Sequence, residues 1–346
     1  MKEIDINANA YNCGVGRVDM KYKIWSSAGI MLTYWCPAAC SCCYVHCGPD
    51  AGSAETEMSV EMAIECWKDI RRLAGDRGLL HLTGGEPFGD YGRLIKILEI
   101  AHDEKLQGLE KIETNAYWCT DEKVVRQRLT ELKALGVKKL HISTDIYHQE
   151  FIPIENVQLL VNIGREILGE DGLQIRWLDY FENPVSTKNM SAEQRLEVFK
   201  ENYFLRKERL LGRAVAELPA VLELKGIEEL SKYNCRRSIF GAKHIHIDGA
   251  GNVFSGTCVG IKIGTISQSA GLYDLWCNYN PEKHPIFSIL AKKGPVGLLD
   301  ILKNTELENK KYADKCHLCY EIRRYLYENA MFIEHIGPGI CYGCNK

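Results

Sequence analysis

Ile30-Met31-Leu32-Thr33-Tyr34-Trp35-Cys36-Pro37-Ala38-Ala39-Cys40-Ser41-Cys42-Cys43-Tyr44 is a short β-prone run that ends in a group of cysteines. Ile30 to Tyr34 is apolar enough for a buried strand. The loop after it holds Cys36, Cys40 and Cys43 in a C-x3-C-x2-C spacing. Closely spaced thiolates on a loop are how proteins hold iron–sulfur clusters. Three ligands on a four-iron cluster leave one iron open, whereas structural zinc prefers a closed shell of four built from C-x2-C pairs. From Ile24 to Pro49 there is no Asp, Glu, Lys or Arg. A charge-free run that long has the look of a membrane span. Its Pro37, serines and five cysteines instead fit a buried strand leading into a metal-binding loop.

Working outward, apolar stripes at helical spacing alternate with short β-prone runs. Val60, Ile64, Trp67, Ile70 and Ala74 mark a helix, and Leu79 to Leu82 a second strand. Leu94, Ile95, Leu98 and Ala101 mark the next helix, and Lys111 to Thr114 a third strand. Val125, Leu129, Leu132 and Leu135 stripe another helix after Asp121, and Leu140 to Ser143 is a fourth strand. Pro153 opens a helix, Leu173 to Leu178 alternates as a fifth strand, and Ser191-Ala192-Glu193-Gln194 fits a capping box. Strands alternating with helices predict an α/β fold with a parallel sheet. In barrel-like parallel sheets the chemistry sits at the C-terminal strand ends. The cysteine loop, Gly84-Gly85-Glu86-Pro87, Thr114-Asn115 and Ser143-Thr144-Asp145 are therefore predicted to converge on one mouth.

The 346 residues are 46% hydrophobic and 26% charged, a globular composition. A net charge of -3 without a long basic run gives no reason to expect a nucleic-acid partner. Fifteen cysteines, an odd number, do not read as a disulfide framework. The first residues carry acidic side chains and no apolar signal core. A cytoplasmic location with reduced thiols is expected, and no membrane partner.

Cys36, Cys40 and Cys43, together with Leu82-Thr83-Gly84-Gly85-Glu86-Pro87, resemble the radical SAM superfamily over about residues 28–210. The resemblance implies a partial (β/α)6 TIM-like barrel. It implies that the three cysteines hold a [4Fe–4S] cluster whose open iron takes S-adenosylmethionine (SAM). Gly84, Gly85, Glu86 and Pro87 would meet the SAM amino group, and Asn115, Ser143 and Asp145 its ribose or carboxylate. Cys42 stands where the family carries a large apolar residue, so Tyr44 is the expected adenine surface. Asp145 and His148 are candidates for proton transfer or substrate contact, because an imidazole titrates near neutrality. Gly212-Arg213-Ala214 resembles a short motif of related enzymes. His81, His141 and His246 alternate with apolar residues and read as ordinary sheet positions.

A second cysteine group follows a hairpin signature, Lys243 to Phe254 with its turn at Asp248-Gly249-Ala250-Gly251-Asn252. Cys235, Cys258, Cys316 and Cys319 resemble the ligands of SPASM and twitch extensions, which implies one auxiliary [4Fe–4S] cluster. Cys341 and Cys344 are alternative ligands, and two C-x2-C pairs leave zinc as the alternative metal. Cys13, Cys66, Cys119 and Cys277 lack a partner pattern and read as buried free thiols. The expected domains are about 1–28, an N-terminal segment; about 29–230, the barrel; and about 231–346, a small cysteine-rich extension with the hairpin.

The resemblance implies an oxidoreductase-type or peptide-modifying enzyme. It would take an electron from an external reductant such as flavodoxin or ferredoxin, cleave SAM to a 5′-deoxyadenosyl radical and remove hydrogen from a substrate. A peptide or protein side chain, oxidised or cross-linked, is the first expected substrate, and a small metabolite the alternative. A non-catalytic iron–sulfur electron carrier is the reading from another class.

Overall fold

The alternation of period-2 and period-3.6 segments resolves into one sheet in the computed structural model, which describes residues 23–206, 210–302 and 306–344. Five strands, β1 (Ser27–Met31), β2 (Leu79–Thr83), β3 (Leu109–Thr114), β4 (Leu140–Ser143) and β5 (Leu173–Arg176), pair in parallel in that order. The crossovers carry α1 (Val60–Ala74), α2 (Tyr91–Asp103), α3 (Glu122–Ala134), α4 (Ile146–Gln149) and α5 (Ile154–Leu168). After β5 come α6 (Leu178–Glu182) and α7 (Ala192–Arg206).

Three more strands extend the sheet from its other edge. β6 (His244–Ile247) pairs in parallel with β1, then β7 (Asn252–Ser255) and β8 (Lys262–Thr265) follow antiparallel. The sheet thus has six parallel strands, as a partial TIM-like barrel predicts, and the sixth comes from the C-terminal hairpin.

Local chemistry explains the boundaries. Ser59 caps α1 by accepting from the Met62 N–H at 3.1 Å, and α1 buries Ala63, Ile64, Trp67 and Ile70. The expected capping box at α7 forms, with Ser191 N–H donating to Gln194 at 2.9 Å and Gln194 N–H returning to Ser191 at 3.2 Å. The first strand ends at Met31 rather than Tyr34, because the next residues turn their backbone to the loop after β2. Gly85 N–H donates to Thr33 O at 2.7 Å and Glu86 N–H to Trp35 O at 2.9 Å. Likewise β5 ends at Arg176, and Leu178, expected in the strand, opens α6.

Period-2 alternation gives the sheet two unlike faces. Ile30, Leu80, Leu82, Ile112, Leu140, Ile142, Ile245 and Ile247 are fully buried on one. The neighbouring positions His81, Thr83, Glu113, Ser143, Arg176, His244 and His246 border a cavity on the other. Among the described residues no helix is long and apolar enough to cross a membrane. Most of the expected N-terminal segment, with Cys13, lies outside the described residues. Cys66 and Cys119 are buried free thiols, whereas Cys277 is held in a disulfide.

Candidate active site

The polar face of the sheet opens into a cavity of about 570 Å³ at the C-terminal strand ends. Its wall includes Cys36, Cys40, Cys43, Tyr44, Gly84, Gly85, Asn115, Ser143 and His148. The four segments predicted to share a mouth do so. Glu86, Pro87 and Asp145 do not border the cavity; Glu86 and Asp145 instead hold Asn115 and His148, which do.

Two of the three sulfurs face an N–H donor. Asn115 Nδ2 lies 3.4 Å from Cys36 Sγ, and the Cys47 N–H donates to Cys43 Sγ at 3.3 Å. The His148 imidazole lies beside the Cys40 sulfur, within reach of its charge. Donors aimed at sulfur suit thiolates that carry negative charge, and they tune a cluster bound there. A hydrogen bond from the Cys47 thiol, with Arg213 close by, lowers the Cys43 thiol to about 6 despite its burial. Burial and the neighbouring Glu86 push the Cys36 thiol up.

The loop that presents these sulfurs is clamped from a distance in sequence. Arg213 donates through Nε to Cys40 O at 2.8 Å and through Nη2 to Cys47 O at 2.6 Å. Its N–H reaches Cys43 O at 3.1 Å. Gly212 sits at φ +56°, and a Cβ there would stand 2.2 Å from Cys43 O. The weak Gly212-Arg213 signal in the sequence is therefore a positioning device for the cysteine loop.

Gly85 is needed for a close approach: a Cβ would lie 1.9 Å from Trp35 O. The Glu86 carboxylate behind it is fully buried and accepts from Asn115 N–H at 2.7 Å, Thr114 Oγ1 at 2.9 Å and Phe88 N–H at 3.2 Å. Burial raises its carboxyl to about 7 against the pull of those donors. Glu86 thereby ties the loop after β2 to the end of β3 and sets Asn115 against Cys36.

Asp145 caps α4, accepting the N–H groups of Tyr147 and His148, each at 3.1 Å. It also meets His148 Nδ1 at 2.8 Å. Burial opposes the charge on both groups. Their mutual attraction outweighs it, holding the Asp145 carboxyl below and the His148 imidazole well above the ordinary values. The two groups are thus bound as an acid–imidazole pair, with the imidazole on the side of the Cys40 sulfur.

Residues 30–170 match the model of the radical SAM superfamily. The chain carries a radical SAM domain and is a radical SAM enzyme. No curated protein sequence matches it. Among solved structures, BtrN in complex with AdoMet and 2-DOIA is similar at 15% identity and a TM-score of 0.50, covering 85% of this chain and 98% of that one. The anSMEcpe enzyme with bound AdoMet matches at 14% identity and 0.45, covering 92% and 90%. SuiB of Streptococcus suis bound to S-adenosylmethionine matches at 15% and 0.36, covering 92% and 77%. The radical SAM family implies a [4Fe–4S] cluster and SAM, and the three sulfurs fit such a cluster.

In this radical SAM enzyme Tyr44 turns its hydroxyl to His246 Nε2 at 3.3 Å on the cavity wall. Three histidines expected as ordinary sheet positions part company here. His141 Nδ1 donates to the Glu113 carboxylate at 3.2 Å, whereas His81 and His246 line the cavity beside His244. Burial keeps them neutral: His81 is lowered to about 4 and His244 to about 3. The alternating pattern gave their face of the sheet, but a polar cavity under that face was not visible in it.

The second cysteine group gathers around the hairpin. Cys235 precedes the short helix Arg236–Phe240, and Cys258 follows β7. Cys316 and Cys319 lie one turn apart at the start of Lys315–Glu328, a helix capped by Asp314. Cys319 lies within electrostatic reach of Arg323, Cys235 and Cys258; burial nonetheless pushes its thiol up to about 12. The buried Arg323 also bonds Val259 O at 2.7 Å and Cys319 O at 3.2 Å. The Cys341 sulfur lies 3.9 Å from the Tyr34 hydroxyl, and the Cys344 sulfur turns to Tyr342 O at 3.8 Å.

Proposed function

We propose that this enzyme reductively cleaves SAM and uses the resulting radical to take hydrogen from a substrate held in the same cavity. The observation that carries the reading is the trio of sulfurs lining one cavity together with Gly84 and Gly85, with Asn115, the Cys47 N–H and His148 beside them. Cys36, Cys40 and Cys43 would hold a [4Fe–4S] cluster there. With SAM bound, that cluster supplies the electron that splits the sulfonium into methionine and a 5′-deoxyadenosyl radical.

The chain's own residues do the positioning. Gly84 and Gly85 bring backbone close to the SAM amino group, and Pro87 fixes the turn behind them. Glu86 acts through Asn115, and Asn115 and Ser143 offer polar contacts to the SAM ribose or carboxylate. Tyr44 gives the adenine an aromatic neighbour. Asp145 orients His148 beside Cys40.

An auxiliary [4Fe–4S] cluster on Cys235, Cys258, Cys316 and Cys319 extends the proposal, supported by the approach of Cys319 to Cys235 and Cys258. Zinc is the competing metal, and Cys341 and Cys344 the competing ligands. The barrel (about 29–230) and the cluster-bearing extension (about 231–346) are the proposed units, after a short N-terminal segment. A cysteine-rich extension of this kind favours an oxidised or cross-linked peptide side chain as product. A small polar metabolite is the second reading, favoured by a cavity in the usual volume range of small-molecule sites. The electron comes from an external carrier such as flavodoxin or ferredoxin.

The test is anaerobic reconstitution, an iron and sulfide count, and an assay for 5′-deoxyadenosine after adding SAM and dithionite. Wild type is expected to form 5′-deoxyadenosine. A variant with Cys36, Cys40 and Cys43 changed to Ala is expected to form none and to keep about four irons. Iron without SAM cleavage would leave an electron carrier as the better account.

A further inference from the structure

We propose that His81, His244 and His246 form a mononuclear site for a divalent transition-metal ion such as Zn2+, opening into the cavity that holds the cysteine loop. One ligand atom from each histidine lies within 4.8 Å of the other two. The sheet register builds this cluster. Gly29 on β1 pairs with His81 on β2 at one side and with His246 on β6 at the other. His244 sits two residues before His246, on the same face.

Gly29 keeps the space between them clear. A Cβ there would lie 2.8 Å from His246 Nε2 and 2.9 Å from His81 Nε2. Both nitrogens therefore flank one spot above the middle strand. The Nε2 atoms of His244 and His246 stand 3.4 Å apart. Two imidazoles on one tetrahedral ion, at the usual zinc–nitrogen distance, hold their nitrogens about 3.3 Å apart. With all three atoms within 4.8 Å, bringing the trio to that spacing takes a shift of at most about 1.5 Å, and the open cavity beside these side chains leaves room for it.

The outer hydrogen bonds have the pattern that orients metal-binding imidazoles. His246 Nδ1 donates to Gly256 O at 2.8 Å, so Nε2 carries the lone pair; the Tyr44 hydroxyl now meets it at 3.3 Å, a contact that an ion would displace. His244 Nδ1 is bonded to Ser27 Oγ at 2.8 Å, so its Nε2 is likewise the inner atom. His81 is 7% exposed and keeps a buried Nδ1 without a hydrogen-bond partner. Glu113 supplies negative charge nearby, with Oε1 3.8 Å from His81 Nε2, although Lys111 at 3.4 Å and His141 at 3.2 Å share that oxygen.

A three-histidine set leaves a fourth position, and here it opens on the cavity that Tyr44, Cys40 and Cys43 also line. An ion there would grip an oxygen, nitrogen or sulfur donor of the substrate and fix which hydrogen meets the radical. That role rests on the SAM-cleaving reading; the metal site does not.

The test uses enzyme whose clusters have been assembled anaerobically, given one equivalent of Zn2+ and desalted. Zinc X-ray absorption is expected to show nitrogen or oxygen ligands with imidazole scattering, at about one zinc per chain. The double variant His244→Gln, His246→Gln is expected to keep the wild-type iron count and lose at least tenfold in zinc affinity. A sulfur-ligated zinc, no retained zinc, or unchanged binding by the double variant overturns the site. Should the variant lose iron or its fold, the wild-type ligand shell alone decides. The 5′-deoxyadenosine assay reads the radical proposal separately, so failure of one is distinguishable from failure of the other.

Discussion

At the scale of single residues, the site depends on groups that never touch its contents. Arg213 holds two carbonyls of the cysteine loop with one planar fork, a task a lysine ammonium does less well. Arg213→Ala is expected to cost roughly 2–4 kcal/mol of stability, from two charge-assisted hydrogen bonds. It should also lower iron retention, whereas Arg213→Lys should fall between; urea titration and iron analysis of both proteins check this. Gly85→Ala carries a sharper expectation. The new methyl would collide with Trp35 O, the loop after β2 would lose its bonds to Thr33 and Trp35, and SAM binding should fall at least tenfold. Equilibrium binding of SAM to the reconstituted variant measures it.

At the scale of elements, caps decide where helices begin, and one of them is sensitive to pH. His284 caps the helix Pro285–Lys293: Nδ1 accepts from Ile286 N–H at 3.2 Å and Phe287 N–H at 3.1 Å, and Nε2 donates to Lys262 O at 2.8 Å. That arrangement needs a neutral ring, and burial lowers the imidazole to about 4. The unfolded chain takes up its proton near pH 6.5, so between about 6.5 and 4 the unfolded state binds more protons than the folded one. Stability from this residue is present above pH 6.5 and is lost as pH falls toward 4, by up to about 3 kcal/mol. His284→Ala is expected to cost about 1 kcal/mol at pH 7 and to flatten this part of the acid loss. Urea midpoints at pH 7 and pH 5 for the two proteins give the comparison.

At the scale of the whole molecule, the C-terminal hairpin is part of the sheet that carries the radical chemistry. β6 covers one edge of β1 from Ser27 to Ile30 and contributes two of the cavity's histidines. A chain cut after residue 230 would expose that edge, and bare strand edges seed aggregation. Such a truncation is expected to be aggregated in size-exclusion chromatography, even with the cysteine loop intact. A soluble monomeric truncation would show that the first five strands suffice alone.

The sequence alone determined the features with a short period or a fixed local spacing. The alternation of helical stripes with β-prone runs predicted five parallel strands, because each element's face is written in its own residues. The C-x3-C-x2-C loop and the Gly-Gly-Glu-Pro segment marked the mouth for the same reason. Tertiary structure alone decided what crosses between distant segments. The sixth parallel strand lies beside β1, which no local pattern states, since alternation fixes a strand's face but not its neighbour. Arg213 reached the cysteine loop from far along the chain, and Glu86 held Asn115 instead of bordering the cavity. His81 and His246, alike with any half-buried strand histidine in sequence, met across Gly29 only because register placed their strands on either side of β1.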